Sequence, residues 1–278
     1  MQTYKNYPLK KISTIGLGGT CREFCCPENT EELTNILHNN SVLSIGNGSN
    51  VCFVTDYYDG IILSLKKMSK YLSHDEEYIS CSSNISCTKL ARYLYNHQIS
   101  GYEFLYGIPG TLGGAVFMNA GAFEKEILNN IHSIDLLDKD GRLQTLFKKD
   151  IQYTYRNSGI DPKAVIISIK LHNPKIKFDS SMINNLDYKR KATQPVNQLS
   201  CGCIFKNPPH DFASELIESA NLKGKRIGGI YVSKKHSNYF INDGTGTHWD
   251  FLNLLDYVKH IVSLTHNVNL KEEVILIK

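Results

Sequence analysis

At 278 residues, with 41% hydrophobic and 21% charged residues, the chain has the composition of an ordinary folded protein of two or three domains. Its net charge is only +4, and basic residues are dense only in KKMSK and VSKKH, which excludes the concentrated stripe of a nucleic-acid binder. No apolar run approaches the ~20 residues of a membrane-spanning helix, and the start MQTYKNYPLKK has no apolar signal core, so the expectation is a cytoplasmic monomer whose partners are small molecules, with no membrane or nucleic acid.

In chain order, NTEELTNILH (29–38) predicts a helix opened by Asn29, with Glu32 three residues on as in a capping box. SVLSI (41–45) reads as a buried strand running into the loop GNGSN (46–50), and GIILSL (60–65) as another strand. Ser86 caps a second helix over 87–99, with Leu90, Tyr93 and Leu94 on one face. HSIDLLDKDGRLQTLF (132–147) predicts a hairpin turning at Asp140-Gly141, and AVIISIKLH (164–172) a further strand. Helices follow over 211–222 and 250–265. The latter is capped by Asp250 and carries a stripe of Phe251, Leu254, Leu255, Val258, Ile261 and Val262. VNLKEEVILIK closes the chain as a strand. Composition shifts put boundaries near 67 and 180, and the mixed order of elements predicts an α+β protein rather than a regular βαβ wind.

Eight cysteines stand at 21, 25, 26, 52, 81, 87, 201 and 203, with no CxxC pair among them. Zinc-ribbon and thioredoxin spacings are therefore missing; no metal is expected, and most of these thiols read as small buried hydrophobes. SCGCIFKNP (200–208) is the exception to explain. On a strand Cys201 and Cys203 would share a face, and a disulfide between them would be strained.

Two glycine-rich stretches can line an anion. In the first, Gly46, Asn47, Gly48, Ser49 and Asn50 follow a strand; in the second, GIPGTLGGAVFMNAG (107–121), the candidates are Gly110, Thr111, Gly113, Gly114 and Asn119. Glycine permits close backbone approach, and successive amides can cradle a pyrophosphate. Alone, each reads as a tight turn; two in one chain weaken that reading. Neither fits GxGxxG with a later acidic residue, nor GxxxxGK[ST].

Taken together, the motifs are those of a known family. STIGLGG (13–19) is similar to its opening NTxxxGG. GNGSNVCFVTDYYDGIIL (46–63) is similar to GxGSN–D–G, and GYEFLYGIPGTLGGAVFMNAGAF (101–123) to its longest signature. YTYRNSGI (153–160) carries YRxS, TQPVNQLSCGCIFKNP (193–208) carries TQP and GSxFKNP, and LIESANLKGKRIGGIYVSKKHSNYFIN (216–242) and LKEEV (270–274) follow in the family's order. The chain resembles the UDP-N-acetylenolpyruvoylglucosamine reductases, the MurB flavoenzymes, in the type that lacks a tyrosine-bearing insertion. It departs from them at Ser13, at Glu124 where glycine is frequent, at Ile160 where Phe is common, in the missing terminal glycine, and at Cys203 where many members have serine.

The resemblance implies a three-domain FAD-binding fold. Residues 1–67 with 270–278 would form one flavin-binding domain, 68–178 the second, and 185–265 the substrate-binding domain. It implies FAD as cofactor, held by the two glycine loops, and NADPH as co-substrate. The reaction is reduction of the enolpyruvyl ether of a UDP-sugar to UDP-N-acetylmuramate, a step in peptidoglycan precursor synthesis. The chemistry needs donors on the substrate carboxylate, where charge accumulates, and an acid for the α carbon. By the resemblance, Arg156 grips the carboxylate, a neutral Glu273 assists, and Cys203 takes the proton-donor position. A thiol, with a reference pKa near ~8.5, is a far better acid than an alcohol. Glu272 would point to the opposite face of the terminal strand and be solvated. Tyr155, Lys191, Lys206 and Asn207 are candidates for substrate contacts, and His236 and Asn242 are either near the site or structural. The competing readings are a related FAD oxidase of an alcohol or sugar, and a nucleotide-sugar-binding module without turnover.

Overall fold

The computed structural model describes residues 1–278. The chain divides into two units: unit one comprises residues 1–5, 23–47 and 60–189, and unit two comprises 6–22, 48–59 and 190–278.

In unit one, β-branched and leucine residues build a five-stranded antiparallel sheet in the order Leu143–Phe147, Ile131–Leu137, Val165–His172, Tyr78–Ser82, Leu72–His74. The first two strands are the expected hairpin, and Gly141 takes the positive φ (75°) that its turn needs. One face is apolar: Ile79, Cys81, Ile134, Leu136, Ile169 and Leu171 are buried against two helices. These are α2 (Cys87–Asn96) and α3 (Leu112–Phe117), reached after α1 (Thr30–Asn39) in chain order. Asn29 and Ser86 cap α1 and α2 as expected, accepting from the amides of Glu32 (2.9 Å) and Lys89 (3.2 Å). Elsewhere in the unit Val42–Ser44 lies parallel to Ile61–Leu63. Leu33, Ile36 and Leu37 of α1 pack on Ile61, Leu63 and Val165. The sequence does not predict α3, nor α4 (Met182–Thr193), in which only Ile183 is buried.

Unit two is built around Phe205, Phe240 and Phe251, whose rings meet edge to face at 6.1 and 5.5 Å. Helices α5 (Ala213–Ser219) and α6 (His248–His266) pack there with a three-stranded antiparallel sheet, Arg226–Ile227, Ile230–Val232 and Phe240–Asn242. The predicted stripe of α6 is on the core side, but its cap is one turn earlier than expected. Thr247, not Asp250, is the N-cap; Asp250 is the third helical residue and returns a bond to the Thr247 amide. The terminal strand is also shorter than expected. Only Ile275–Ile277 is strand, parallel to Val51–Phe53, because the amides of Glu273 and Val274 turn instead to the carbonyl of Ile204.

Candidate functional site

In unit one the second glycine loop is a helix start. Thr111 caps α3 by accepting from the Gly114 amide at 3.3 Å, the Gly113 amide donates to Ser83 O at 2.8 Å, and that of Gly110 to Ile108 O. These amides hold the loop in shape rather than stand as an open cradle. Gly46 packs directly against this turn: a Cβ there would lie 2.4 Å from Thr111 Oγ1. Nearby in sequence, Asn84 donates to Leu65 O and Met68 O, while its own Oδ1 is buried with no partner. A buried acceptor of that kind is costly unless a ligand satisfies it.

Arg156 occupies the left-handed region (φ 56°) and its guanidinium is held from several sides. It donates to Gly121 O at 2.9 Å and Asn119 O at 3.4 Å, and pairs with Glu126 at 3.3 Å. The Tyr155 ring lies 4.6 Å beneath it. Asn119 is fully buried, and its side chain works inside the unit: it donates to Glu126 and to Thr154 O and accepts from Leu128. The predicted cofactor ligand Asn119 thus orients Glu126, which in turn orients Arg156. Glu126 has no sequence signal of its own, because its role arises from a pairing 30 residues away.

In unit two the stretch SCGC is a sharp turn. Gly202 has φ 78°, and a Cβ there would lie 3.6 Å from the carbonyl of Ser49 in the first glycine loop. Thr14 closes the same corner by donating to Ser200 O at 2.6 Å and Gly48 O at 3.3 Å. Beside Thr14, the hydroxyl of Ser13 is buried without a partner. Asn50 donates to Glu273 O at 3.0 Å, and the Glu273 amide donates to Ile204 O at 2.8 Å. Ser49, Asn50, Cys203 and Glu273 therefore converge. Cys201 is fully buried, which pushes its thiol up to about 12, while Cys203 is half-buried. Neither is in a disulfide.

Cys203 pairs with Tyr239 across an antiparallel bridge, and Asn238 locks that pairing through bonds with the Phe205 amide (2.9 Å) and carbonyl (2.8 Å). The Tyr239 hydroxyl donates to Gln194 Oε1 at 3.1 Å. Burial raises its pKa well above the ordinary phenol value, as does the neighbouring Cys203, while the Arg190 charge opposes the shift. Arg190 keeps a buried Nε without a partner, a guanidinium edge that the sequence reading missed beside its choice of Lys191. Lys191 is itself exposed, and its carbonyl accepts from Lys235.

The other predicted residues separate into ligand candidates and scaffold. Lys206 is half-buried, its amide tied to Lys271 O at 2.8 Å. Asn207 accepts from the Ala213 amide at 3.1 Å, fixing the start of α5. Glu272 is not in a strand: it pairs with Lys259 at 2.6 Å, and although burial works to raise its pKa, that bond and charge hold it below the ordinary value. His236 is structural; burial depresses its pKa and the Asn238 amide donates to its Nδ1. Asn242 donates to Ile15 O and accepts from the Gly244 and Gly246 amides, a turn-holding role. A hollow of about 240 Å³ on the wet side of the large sheet, lined by Tyr71, His132, Asp135 and Lys170, includes none of the predicted residues.

A family model described as UDP-N-acetylenolpyruvoylglucosamine reductase, C-terminal domain, matches residues 194–277, and one described as FAD binding domain matches 22–146. The chain is 30% identical to a UDP-N-acetylenolpyruvoylglucosamine reductase of Fusobacterium nucleatum, covering 100% of both chains. It is 36% identical to that of Streptococcus agalactiae, over 97% of this chain and 92% of the relative. The crystal structure of UDP-N-acetylenolpyruvylglucosamine reductase (MurB) from Thermus caldophilus superposes with a TM-score of 0.83 at 26% identity, covering 100% and 98% of the two chains.

Proposed function

Because the chain belongs to the UDP-N-acetylenolpyruvoylglucosamine reductase family, we propose that it carries out the family's reaction with Cys203 as proton donor and Arg156 and Glu273 as carboxylate partners. It is an FAD-dependent oxidoreductase of peptidoglycan precursor synthesis that reduces the enolpyruvyl ether of a UDP-sugar to UDP-N-acetylmuramate. The residues present suit FAD: beside the second glycine loop in sequence, the buried Asn84 Oδ1 awaits a hydrogen-bond donor. FAD, when bound and reduced by NADPH, supplies the hydride that adds to the substrate double bond.

The protein's own groups do the rest. Hydride addition β to the carboxylate drives electron density onto its oxygens. A guanidinium fixed by Gly121, Asn119 and Glu126 offers a rigid fork to a carboxylate, and being prefixed it needs no reorganisation as charge develops. Glu273, kept neutral, donates a hydrogen bond to the same anion. Glu272 is already committed to Lys259, which favours Glu273 for the role. Cys203 gives its proton to the α carbon and is left as thiolate until water restores it. Lys191, Lys206, Asn207 and Tyr155 contact the UDP-sugar. Residues 1–67 with 270–278 and 68–178 hold FAD, and 185–265 holds the substrate. The protein acts as a cytoplasmic monomer.

The observation that carries the catalytic assignment is the convergence in unit two of Cys203, the Glu273 backbone and Ser49–Asn50 around Gly202. Separate half-reactions test it. NADPH should bleach the flavin equally in wild type and Cys203→Ala. Enolpyruvyl substrate should then reoxidise the variant about 10²–10⁴-fold more slowly, the usual weight of a general acid, with Cys203→Ser recovering much of the rate. Reoxidation of Cys203→Ala at the wild-type rate rules the assignment out.

A further inference from the structure

The role given to Cys203 leaves a second demand, since its thiolate must be stabilised once the proton has gone. The cross-strand partner of Cys203 is Tyr239, 8% exposed, and directly opposed residues in an antiparallel bridge set their side chains side by side. Asn238 and the Ile204 amide, which donates to Asn238 O at 2.9 Å, fix that register. Tyr239 has one proton and directs it to Gln194 Oε1 at 3.1 Å. The Cys203 sulfur is its other neighbour, and a bond between the two favours the protonated phenol, so in that bond the phenol is the donor and the sulfur the acceptor.

We infer that Tyr239 is a positioning residue for Cys203. In the resting site its proton is held by Gln194; after proton delivery the hydroxyl turns from Gln194 to the sulfur and donates to the thiolate. No bond to the phenol proton breaks. The S–H proton goes to the substrate carbon, the electron pair stays on sulfur, and Tyr239 only exchanges one acceptor for another. The inference rests on Cys203 as proton donor. Burial raises the phenol pKa, in keeping with a hydroxyl that donates a hydrogen bond without losing its proton. Arg190 and Glu273 also act on Tyr239, and Cys203 acts on Cys201. These groups are the same in the variants below, so opposite shifts isolate the phenol.

The test combines the two half-reactions with the pH profile of iodoacetamide alkylation at Cys203, read by intact mass. In Tyr239→Phe the ring remains but the thiolate loses its donor. The alkylation midpoint should rise by about one pH unit, the worth of one hydrogen bond to a charged group. Reoxidation by the enolpyruvyl substrate should slow roughly tenfold, while bleaching by NADPH is unchanged. In Gln194→Leu the phenol proton is released toward sulfur, and the alkylation midpoint should fall. A residue that merely fills space moves neither midpoint in this opposed way. Unchanged midpoints in both variants, with Cys203→Ala still slow, overturn the role of Tyr239 and leave the proton donor standing. Normal reoxidation of Cys203→Ala removes the proton donor itself, and with it this inference. Should Tyr239→Phe fail to fold, Gln194→Leu decides alone: a midpoint that stays or rises overturns the inference.

Discussion

Phe123 and Glu124 both adopt left-handed backbone, with φ of 53° and 63°, at the turn joining Gly121–Ala122 to Lys125–Glu126. Two successive residues of this kind fit the tight hairpin turn in which Asn-Gly is the favoured pair. The turn matters because its two arms supply Gly121 O and Glu126 to the Arg156 guanidinium. The left-handed region costs an ordinary residue ~1–2 kcal/mol, and glycine gives back ~0.5–1 kcal/mol in lost chain entropy. Glu124→Gly should therefore stabilise the protein by ~0.5–1 kcal/mol, since Glu124 is exposed. Thermal unfolding of the variant should move up by about 2 °C; a lower midpoint would mean that the Glu124 side chain contributes something the turn geometry does not.

At the scale of elements, α6 depends on its first turn. Thr247 Oγ1 accepts from the Asp250 amide at 3.1 Å, and Asp250 accepts from the Thr247 amide at 2.9 Å and from Gly229 at 3.4 Å, so the cap also fastens the neighbouring loop. Thr247→Ala should cost ~1 kcal/mol, the typical worth of an N-cap, and lower the thermal midpoint by ~2–4 °C, with Thr247→Ser restoring it. A midpoint indistinguishable from wild type would show that packing of Phe251, Leu254 and Val258 alone sets the stability of the helix. This stripe was legible in the sequence because burial follows a 3.6-residue period; α1, α2 and the 131–147 hairpin were legible for the same kind of reason. Helix α4 was not, because only Ile183 of its twelve residues is buried and no stripe forms. Helix α3 was hidden by two glycines, each costing a helix ~1 kcal/mol, which anchoring of the Gly113 amide to Ser83 O offsets. Site residues followed the same division. Cys203, Arg156 and Glu273 sit in contiguous motifs. Tyr239 and Gln194 are 45 residues apart and acquire their meaning only from strand pairing.

Over the whole molecule, the eight thiols turn a matter of packing into one of pH. Cys21, Cys26, Cys52, Cys81, Cys87 and Cys201 are fully buried and Cys25 is 3% exposed, so iodoacetamide should label native protein once, at Cys203. Burial pushes Cys81 and Cys201 up to about 12, and drives Cys52 well above its ordinary value. Below an unfolded-state pKa of ~8.5 both folded and unfolded thiols are protonated, and these groups have no effect on the pH dependence. Above it the unfolded chain releases protons that the folded chain retains, so stability falls as pH rises from ~8.5 toward 12. Each such thiol contributes a slope on the order of 1.4 kcal/mol per pH unit. Three together are enough to remove a stability of ~5–15 kcal/mol within a few units. His236 bounds the acid side: burial depresses its pKa, so its neutral form favours folding above ~6.5, and stability is lost as the unfolded histidine protonates below that pH. Urea midpoints should thus be level between about pH 7 and 8.5 and drop steeply above 9. The alkaline limb should flatten in Cys81→Ala/Cys201→Ala, whose loss of packing lowers the plateau but whose remaining Cys52 carries only one of the three large thiol shifts. A wild-type midpoint that stays constant from pH 8 to 11 would mean that these sulfurs ionise in place, and that the cores around them admit charge.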